Sequence, residues 1–229
     1  MKRIRSALIF ALEFGVVGIV SFAQTRPAPG IAIRTQPEKV YVERSGGSQY
    51  FVFAFDLSNN SDQAVKITGL SMMAYDAQGM LLNWSKVDSN GGRPSIEVLG
   101  PRRLDGHKSL TVFNPFDQLT TAQPVASLRY EFDVAGKQGR TTIPIEIRPV
   151  EYIQKTSLTC PVPGNHVWAY EAPGFYSHHA RIDLNDEFTV GVMKLRYNSQ
   201  RYALDLVVVD ARGTGNGTGL EISELGNLA

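Results

Sequence analysis

Two adjacent histidines and a later aspartate are the residues of this sequence whose types and spacing could do chemistry. His178 and His179 precede a polar segment, residues 198–205, that ends in Asp205. Imidazole nitrogens and carboxylate oxygens are typical ligands of catalytic zinc, which takes about three protein ligands and keeps an open position for water. The three residues are therefore candidate metal ligands, and together they provide the first half of such a site.

The local backbone decides how many of these imidazoles can share a site with Asp205. In an extended segment, neighbouring side chains point to opposite faces, so only one of His178 and His179 could face the carboxylate. In a turn, both could do so. The sequence leaves these two alternatives open.

Residues 161–213 resemble the opening of the catalytic domain of lysostaphin-like zinc metallopeptidases, which cut peptide cross-bridges in bacterial cell walls. The resemblance lies in a His-rich turn that is followed, some two dozen residues later, by the Gln-Arg-Tyr-Ala-Leu-Asp sequence of residues 200–205. It implies that Asp205 is the carboxylate ligand of zinc and that His178 or His179 is the first imidazole ligand.

The same resemblance leaves the rest of the site open. Asp183 is a rival carboxylate, because His179 and Asp183 have the His-x-x-x-Asp spacing of shorter relatives. The family's third ligand and its general base come from a later His-x-His motif, which is absent here. We therefore expect a truncated peptidase segment in which catalysis is absent or residual. The alternative is an active zinc endopeptidase that takes its missing ligand from His107 or His166, the two other histidines of the sequence.

The elements that must position these residues are predicted to be strands. The segments 186–196 and 201–209 alternate well enough to pair with each other. Upstream, short apolar runs are separated by turn formers, which predicts a two-sheet sandwich of immunoglobulin-like form. Its predicted strands cover residues 49–57, 65–75, 95–99, 109–113, 127–134 and 141–147, with a turn of helix within 116–123. Trp84 and Trp168 are expected to be core aromatics.

The fold class is therefore all-β, with an immunoglobulin-like sandwich followed by a small, incomplete, β-rich peptidase-like segment. The predicted boundaries are 31–149 for the sandwich and 150–212 for the partial lysostaphin-like segment. A glycine-rich tail, 213–229, is expected to be flexible, since it has little apolar surface to bury.

The amino terminus has the pattern of a secretory signal. Lys2, Arg3 and Arg5 precede an apolar run from residue 7 to residue 20, and small residues end the pattern at Ala23. We expect a signal peptide over residues 1–23, a linker over 24–30, and a secreted or periplasmic protein with no membrane span once the signal is removed.

Composition limits the expected partners. The 229 residues carry a formal net charge of +1, which gives no electrostatic reason to expect nucleic acid as a partner. With the resemblance, these features predict an exported protein associated with peptidoglycan or another cell-envelope component. The alternative is a non-enzymatic surface or adhesion module, in which His178, His179 and Asp205 have no role.

Overall fold

The computed structural model describes residues 30–91, 95–153, 155, 157, 167–171 and 174–208. Its regular secondary structure is mostly β-strand, with two short helical turns, so the predicted all-β fold is confirmed. The strands are β1 (Ile31–Gln36), β2 (Tyr41–Ser45), β3 (Ser48–Tyr50), β4 (Ala54–Asn59), β5 (Val65–Tyr75), β6 (Leu81–Asp88), β7 (Arg103–Leu104), β8 (Ser109–Phe113), β9 (Gln118–Thr120), β10 (Ser127–Gly136), β11 (Gly139–Ile147), β12 (Val150–Glu151), β13 (Val167–Glu171) and β14 (Asp205–Val208).

Four sheets organise these strands. The first is antiparallel, with the order β1-β4-β8, and the second has the order β11-β10-β5-β6 with β7 paired to β5. A third sheet, β12-β2-β3-β9, shares the same hydrophobic core through the buried side chains of Val42 and Leu119. The fourth is the antiparallel pair of β13 and β14.

Aromatic side chains join the first two sheets face to face. The Phe55 ring on β4 makes edge contacts with Tyr130 and Phe132 on β10, with ring centroids 4.9 and 5.0 Å apart. Buried residues alternate along both strands, which places these rings on one face of each sheet. All three side chains are fully buried, and each such burial stabilises the fold by about 1.5–3 kcal/mol.

Three predicted elements upstream of the carboxy-terminal segment are wrong. The strand predicted over 49–57 is two strands, β3 and β4, which belong to different sheets. Residues Ser95–Leu99 form a short 3-10 helix instead of a strand, because the buried side chains of Ile96 and Leu99 are three residues apart and face the core together. The predicted turn of helix within 116–123 is instead the strand β9, which pairs with β3.

The interpretation of Trp84 as a core aromatic is also wrong. Trp84 is 58 % exposed on β6, where it lies opposite Met73 of β5. Met72, the residue before Met73 in β5, is fully buried and faces the core. Met73 and Trp84 therefore point to the outer face of the sheet. The side chain of Trp168 lies outside the described residues.

Residues 174–208 pack against the outer face of the first sheet. Asn185 donates from Nδ2 to Thr111 Oγ1 at 2.7 Å and to Asp56 Oδ1 at 3.3 Å. Thr111 on β8 and Asp56 on β4 are directly opposite each other in the sheet. Their β4 and β8 neighbours Leu57 and Val112 are buried in the core, so the sheet is covered on both faces here.

The chain reaches this segment through β12, which pairs with β2 in parallel. Strand pairing with the sandwich therefore continues to Glu151, two residues beyond the predicted boundary at 149. The predicted signal peptide and most of the linker, residues 1–29, lie outside the described residues, as does the predicted tail, 213–229. In the part of the chain that is described, no helix has the length and apolar character needed to cross a membrane.

Candidate metal site

The strand pair predicted for the carboxy-terminal segment is wrong. A helical turn and the strand pair of β13 and β14 take its place. Residues 186–196 do not form a strand: the Asp186 carboxylate accepts hydrogen bonds from the backbone nitrogen and hydroxyl of Thr189, and a π-helical turn follows at Phe188–Val192. These bonds to Thr189 hold the pKa of Asp186 below its usual value. The predicted strand at 201–209 is the shorter β14, and its partner is β13.

The two histidines lie in a turn, which is the alternative that lets both face Asp205. The backbone nitrogen of Arg181 donates to the carbonyl of His178 at 3.2 Å, and the backbone nitrogen of His179 donates to Ser177 Oγ at 3.1 Å. The His178 and His179 rings therefore lie side by side, with centroids 3.9 Å apart and planes tilted by 39°.

The structure brings His178, His179 and Asp205 together. Each can offer one ligand atom such that all three atoms lie within 4.8 Å of one another. The shortest distance, 3.0 Å, joins His179 Nε2 to Asp205 Oδ1. The His179 side chain is almost fully buried, whereas the side chains of His178 and Asp205 are more open to solvent.

Polar residues just before Asp205 fix the orientation of His179. Gln200 Oε1 lies 3.4 Å from His179 Nδ1, on the side of the ring opposite Asp205. Asn198 donates from Nδ2 to the His179 carbonyl at 2.7 Å. Both residues belong to the polar segment 198–205, and their types alone predict no role for them. Their position beside His179 depends on how the loop at 198–202 folds back, which no local sequence pattern encodes.

Of the alternative ligands, Asp183 and His107 do not join this group. Asp183 Oδ1 accepts the backbone N–H of Asn185 at 2.8 Å and lies outside the cluster. His107 lies in a turn of the sandwich, where its Nε2 is 2.7 Å from Asp62 Oδ1. His166 is not among the described residues. Within the described chain, the candidate site consists of His178, His179 and Asp205 alone.

This donor set fits zinc. Two imidazoles and one carboxylate are ligand types that zinc accepts, and ligands around a tetrahedral zinc lie about 3.3 Å apart. The distance between His179 Nε2 and Asp205 Oδ1 is close to that value. A hydrogen-bond partner on the distal ring nitrogen, as Gln200 provides, is a common feature of metal-binding histidines. Three protein ligands would leave a fourth position open for water or another donor.

A buried positive charge, Arg201, follows Gln200 in the chain. Arg201 is 4 % exposed, and its two terminal nitrogens have no hydrogen-bond partner among the described residues. Burial lowers the pKa of the guanidinium, while the nearby Tyr202 and Asp56 groups oppose that shift. Arg201 therefore adds positive charge near the seam between the segment 174–208 and β4, and it makes no hydrogen bond to the histidines.

Comparisons with known proteins do not place this chain in a family. No protein-family model matches it, and no curated protein matches it in sequence. Solved structures give only weak similarities. A Bordetella pertussis protein assigned as ApaA is 8 % identical and has a TM-score of 0.37, with 52 % of this chain and 93 % of that protein covered.

Two further structures are similarly distant. A structural genomics target is 13 % identical, with a TM-score of 0.38 and coverage of 60 % of this chain and 97 % of that one. β-Glucuronidase 2 from Bacteroides uniformis is 12 % identical, with a TM-score of 0.29 and coverage of 52 % of this chain and 13 % of that enzyme. At these values the similarities assign no function, and the resemblance to lysostaphin-like peptidases stays a prediction.

Proposed function

We propose that this protein binds zinc through His178, His179 and Asp205. The observation that carries the proposal is the convergence of these side chains, since His179 and Asp205 are 26 residues apart in the chain yet lie 3.0 Å apart in space. The almost complete burial of the His179 ring supports it, because a buried imidazole already held by Gln200 loses little further freedom when a metal binds.

The proposed biological role is that of an exported, cell-envelope protein whose carboxy-terminal segment resembles the front half of a peptidoglycan endopeptidase. Peptide hydrolysis at zinc requires an activated water, a base to take its proton and a donor for the oxyanion. The described residues of the cluster provide ligands but no further imidazole or carboxylate for these tasks. Metal binding without turnover by this chain alone is therefore part of the proposal.

Equilibrium dialysis against zinc, followed by elemental analysis of the protein, tests the metal site. We expect about one zinc per chain for the wild type, in line with one ligand cluster. Asp205→Asn and His179→Gln should each lower the occupancy to background. Asp183→Asn is the matched control, because Asp183 lies in the same segment but outside the cluster, and it should retain wild-type occupancy. Absence of bound zinc in the wild type contradicts the proposal.

Catalysis is tested separately with the zinc-loaded protein and purified peptidoglycan. We expect no release of new amino termini over that of the metal-free protein. Release that is lost in Asp205→Asn would instead identify an active endopeptidase, with His107 or His166 as the residues to examine next for the missing ligand. This result would overturn the non-catalytic part of the proposal and leave zinc binding intact.

Adhesion by the sandwich is a second candidate function, because the sandwich has a core of its own. Among the described residues, the core and the apolar side chains packed against it lie within 31–147, so the core does not depend on the segment that carries His179 and Asp205. Co-sedimentation with peptidoglycan distinguishes the two functions. If Asp205→Asn sediments like the wild type, the sandwich provides the adhesion; if sedimentation needs both zinc and Asp205, the metal site provides it.

A further inference from the structure

A tyrosine-rich cleft lies on the third sheet, and none of its lining residues is a candidate metal ligand. Tyr41 and Glu43 alternate with the buried Val42 on β2, so both face away from the core. Tyr50 of β3 lies directly opposite Glu43. The cleft has a volume of about 340 Å³ and is lined by Tyr41, Glu43, Tyr50, Val52, Tyr152 and Tyr202.

The tyrosine rings form the walls of this cleft. Tyr152, just after β12, makes an edge contact with Tyr41, with ring centroids 6.1 Å apart and planes at 90°. Tyr202 reaches the cleft from the carboxy-terminal segment, and its hydroxyl donates to the Val52 carbonyl at 3.4 Å. The faces of aromatic rings carry negative electrostatic potential and attract cations. Tyr41 already has one such contact, since Lys39 Nζ lies 5.3 Å from its ring centroid.

Glu43 is the one charged side chain among the residues that line the cleft, and the Lys39 ammonium lies beside the cleft on the Tyr41 ring. Glu43 makes no ion pair within the described part of the chain, whereas its neighbour Arg44 is paired with Glu151 at 2.6 Å. An unpaired carboxylate beside several aromatic rings favours a cationic ligand, since the rings and the carboxylate attract it together. The volume is at the small end of the range for ligand sites.

We propose that this cleft binds a small quaternary ammonium group, with Glu43 as its counter-charge and Tyr41, Tyr152 and Tyr202 as the surrounding rings. The cleft shares no residue with the proposed zinc site, and Tyr202 connects the two through the loop that leads to Asp205.

The polar groups of the cleft favour this ligand over a sugar. The Tyr50 hydroxyl accepts a hydrogen bond from Gln118 Nε2 at 3.4 Å, and the Tyr202 hydroxyl is engaged with Val52. Each of these hydroxyls has one hydrogen-bonding role filled, and the cleft offers few further polar groups to satisfy the several hydroxyls of a sugar. A primary ammonium is strongly hydrated and needs several acceptors, whereas a quaternary ammonium is apolar on its outside and needs none.

Isothermal titration of the full chain with choline and with 3,3-dimethylbutan-1-ol, its uncharged analogue of the same shape, tests the proposal. We expect saturable binding of choline that is about tenfold tighter than binding of the neutral analogue. Glu43→Gln should weaken choline binding about fivefold, and Tyr152→Leu should weaken it by a similar factor. Glu187→Gln removes an exposed carboxylate elsewhere and should bind choline like the wild type.

Equal affinity for choline and the neutral analogue, or no binding of either, overturns the proposal. Tighter binding of Nα-acetyl-lysine amide than of choline would show that the cleft prefers a primary ammonium, and displacement of choline by N-acetylglucosamine would identify a sugar site; both results also overturn it. Asp205→Asn should bind choline normally, so failure of the zinc site and failure of this cleft can be told apart. Circular dichroism of each variant confirms that it is folded.

Discussion

The His179 ring has a polar partner at each of its two nitrogens, which fixes its orientation. Its Nε2 faces Asp205 at 3.0 Å, and its Nδ1 faces Gln200 at 3.4 Å. Without metal, the closer and charged Asp205 oxygen favours a proton on Nε2, which donates to it. Zinc would replace that proton on Nε2, and the Nδ1–H of the resulting tautomer can donate to Gln200 Oε1. Gln200 is therefore a positioning residue for the proposed site, although it is not itself a ligand.

Removing the Gln200 amide should weaken zinc binding without abolishing it. We expect Gln200→Ala to lower the zinc affinity about tenfold, as is typical when the partner of a metal-binding imidazole is lost. Competition with a fluorescent zinc chelator measures this change. Gln138→Ala, an exposed glutamine in the turn between β10 and β11, is the matched control and should keep the wild-type affinity. An unchanged affinity for Gln200→Ala would show that His179 is held by other contacts.

Sequence reasoning reached the residues of the candidate site but not their support. His178, His179 and Asp205 could be chosen because their types suit a metal. Their convergence depends on a turn at 178–181 and on the pairing of β14 with β13, whereas the sequence predicted pairing with 186–196. That prediction failed because an alternating pattern does not reveal that the Asp186 side chain bonds to Thr189 and starts a helical turn.

At the scale of elements, Asp117 connects the sandwich to the carboxy-terminal segment. It lies just before β9, and its Oδ2 accepts the backbone N–H of Phe175 at 2.7 Å. The approach is close, since a Cβ added to Gly174 would lie 3.3 Å from the same oxygen. Burial raises the pKa of the Asp117 carboxyl above its usual 3.8, and the bond from Phe175 opposes part of that rise.

This geometry predicts different effects for two replacements of Asp117. Asparagine keeps an acceptor for the Phe175 N–H and removes the buried charge, so Asp117→Asn should be at least as stable as the wild type at pH 7. Alanine leaves that N–H without its acceptor and should cost about 1–3 kcal/mol. Urea unfolding at pH 7 measures both changes, and hydrogen exchange at residues 174–177 shows whether the loss is local. Equal stability of the two variants would contradict this role for Asp117.

The sign of the pH dependence follows from the raised pKa. In the folded protein Asp117 holds its proton to higher pH than in the unfolded chain, so this group makes the folded state less stable as pH rises above 3.8 through the raised pKa. The stability of Asp117→Asn relative to the wild type should therefore be greater at pH 7 than at pH 4. A difference that is the same at both values would show that the carboxyl is not perturbed.

At the scale of the whole molecule, the two parts use their apolar residues differently. The sandwich buries a large cluster of apolar side chains and exposes several others, such as Trp84, whereas the apolar residues that 174–208 bury are Phe175 and Ala180. The exposed large side chains of that segment are Tyr176, Phe188, Val190, Val192, Met193, Tyr197, Tyr202 and Leu204. The fold of the described chain therefore rests on the sandwich core, and the segment depends on contacts such as Asn185 and Asp117 to stay on its surface.

The same difference explains why the sandwich was easier to predict than the segment. Alternation along β10 encodes a buried face, the apolar content of β5 marks a buried strand, and both strands form where they were predicted. When both faces of a strand carry apolar residues, the sequence pattern does not show which face is buried. Met73 and Trp84 lie opposite each other on such a face, and Trp84 was wrongly predicted to be in the core for that reason. In the segment, side-chain hydrogen bonds at Asp186 and Asn198 replace a core, and their partners cannot be identified from sequence periodicity.

Because of Tyr130, the free energy of unfolding of the sandwich should fall as pH rises above 10. Its ring is fully buried between the layers, and its hydroxyl donates to Asn114 Oδ1 at 3.1 Å. Burial raises the pKa of Tyr130 far above its ordinary value of 10.0. Above pH 10 the unfolded chain loses this proton while the folded chain keeps it, so unfolding becomes more favourable as pH rises, with a slope of about 1.4 kcal/mol per pH unit from this one group.

Tyr130→Phe should separate the hydrogen bond from the titration. At pH 8 we expect the variant to be about 1 kcal/mol less stable than the wild type, because the bond to Asn114 is lost while the ring is kept. Above pH 10 its stability should fall less steeply, so the difference between the two proteins narrows and then reverses. Urea unfolding from pH 8 to pH 11.5 measures both effects, and Tyr176→Phe, on a ring that is 85 % exposed, controls for loss of a hydroxyl at pH 8. Parallel curves for wild type and Tyr130→Phe above pH 10 would mean that Tyr130 ionises within the folded core, which its position between Phe53 and Phe55 opposes.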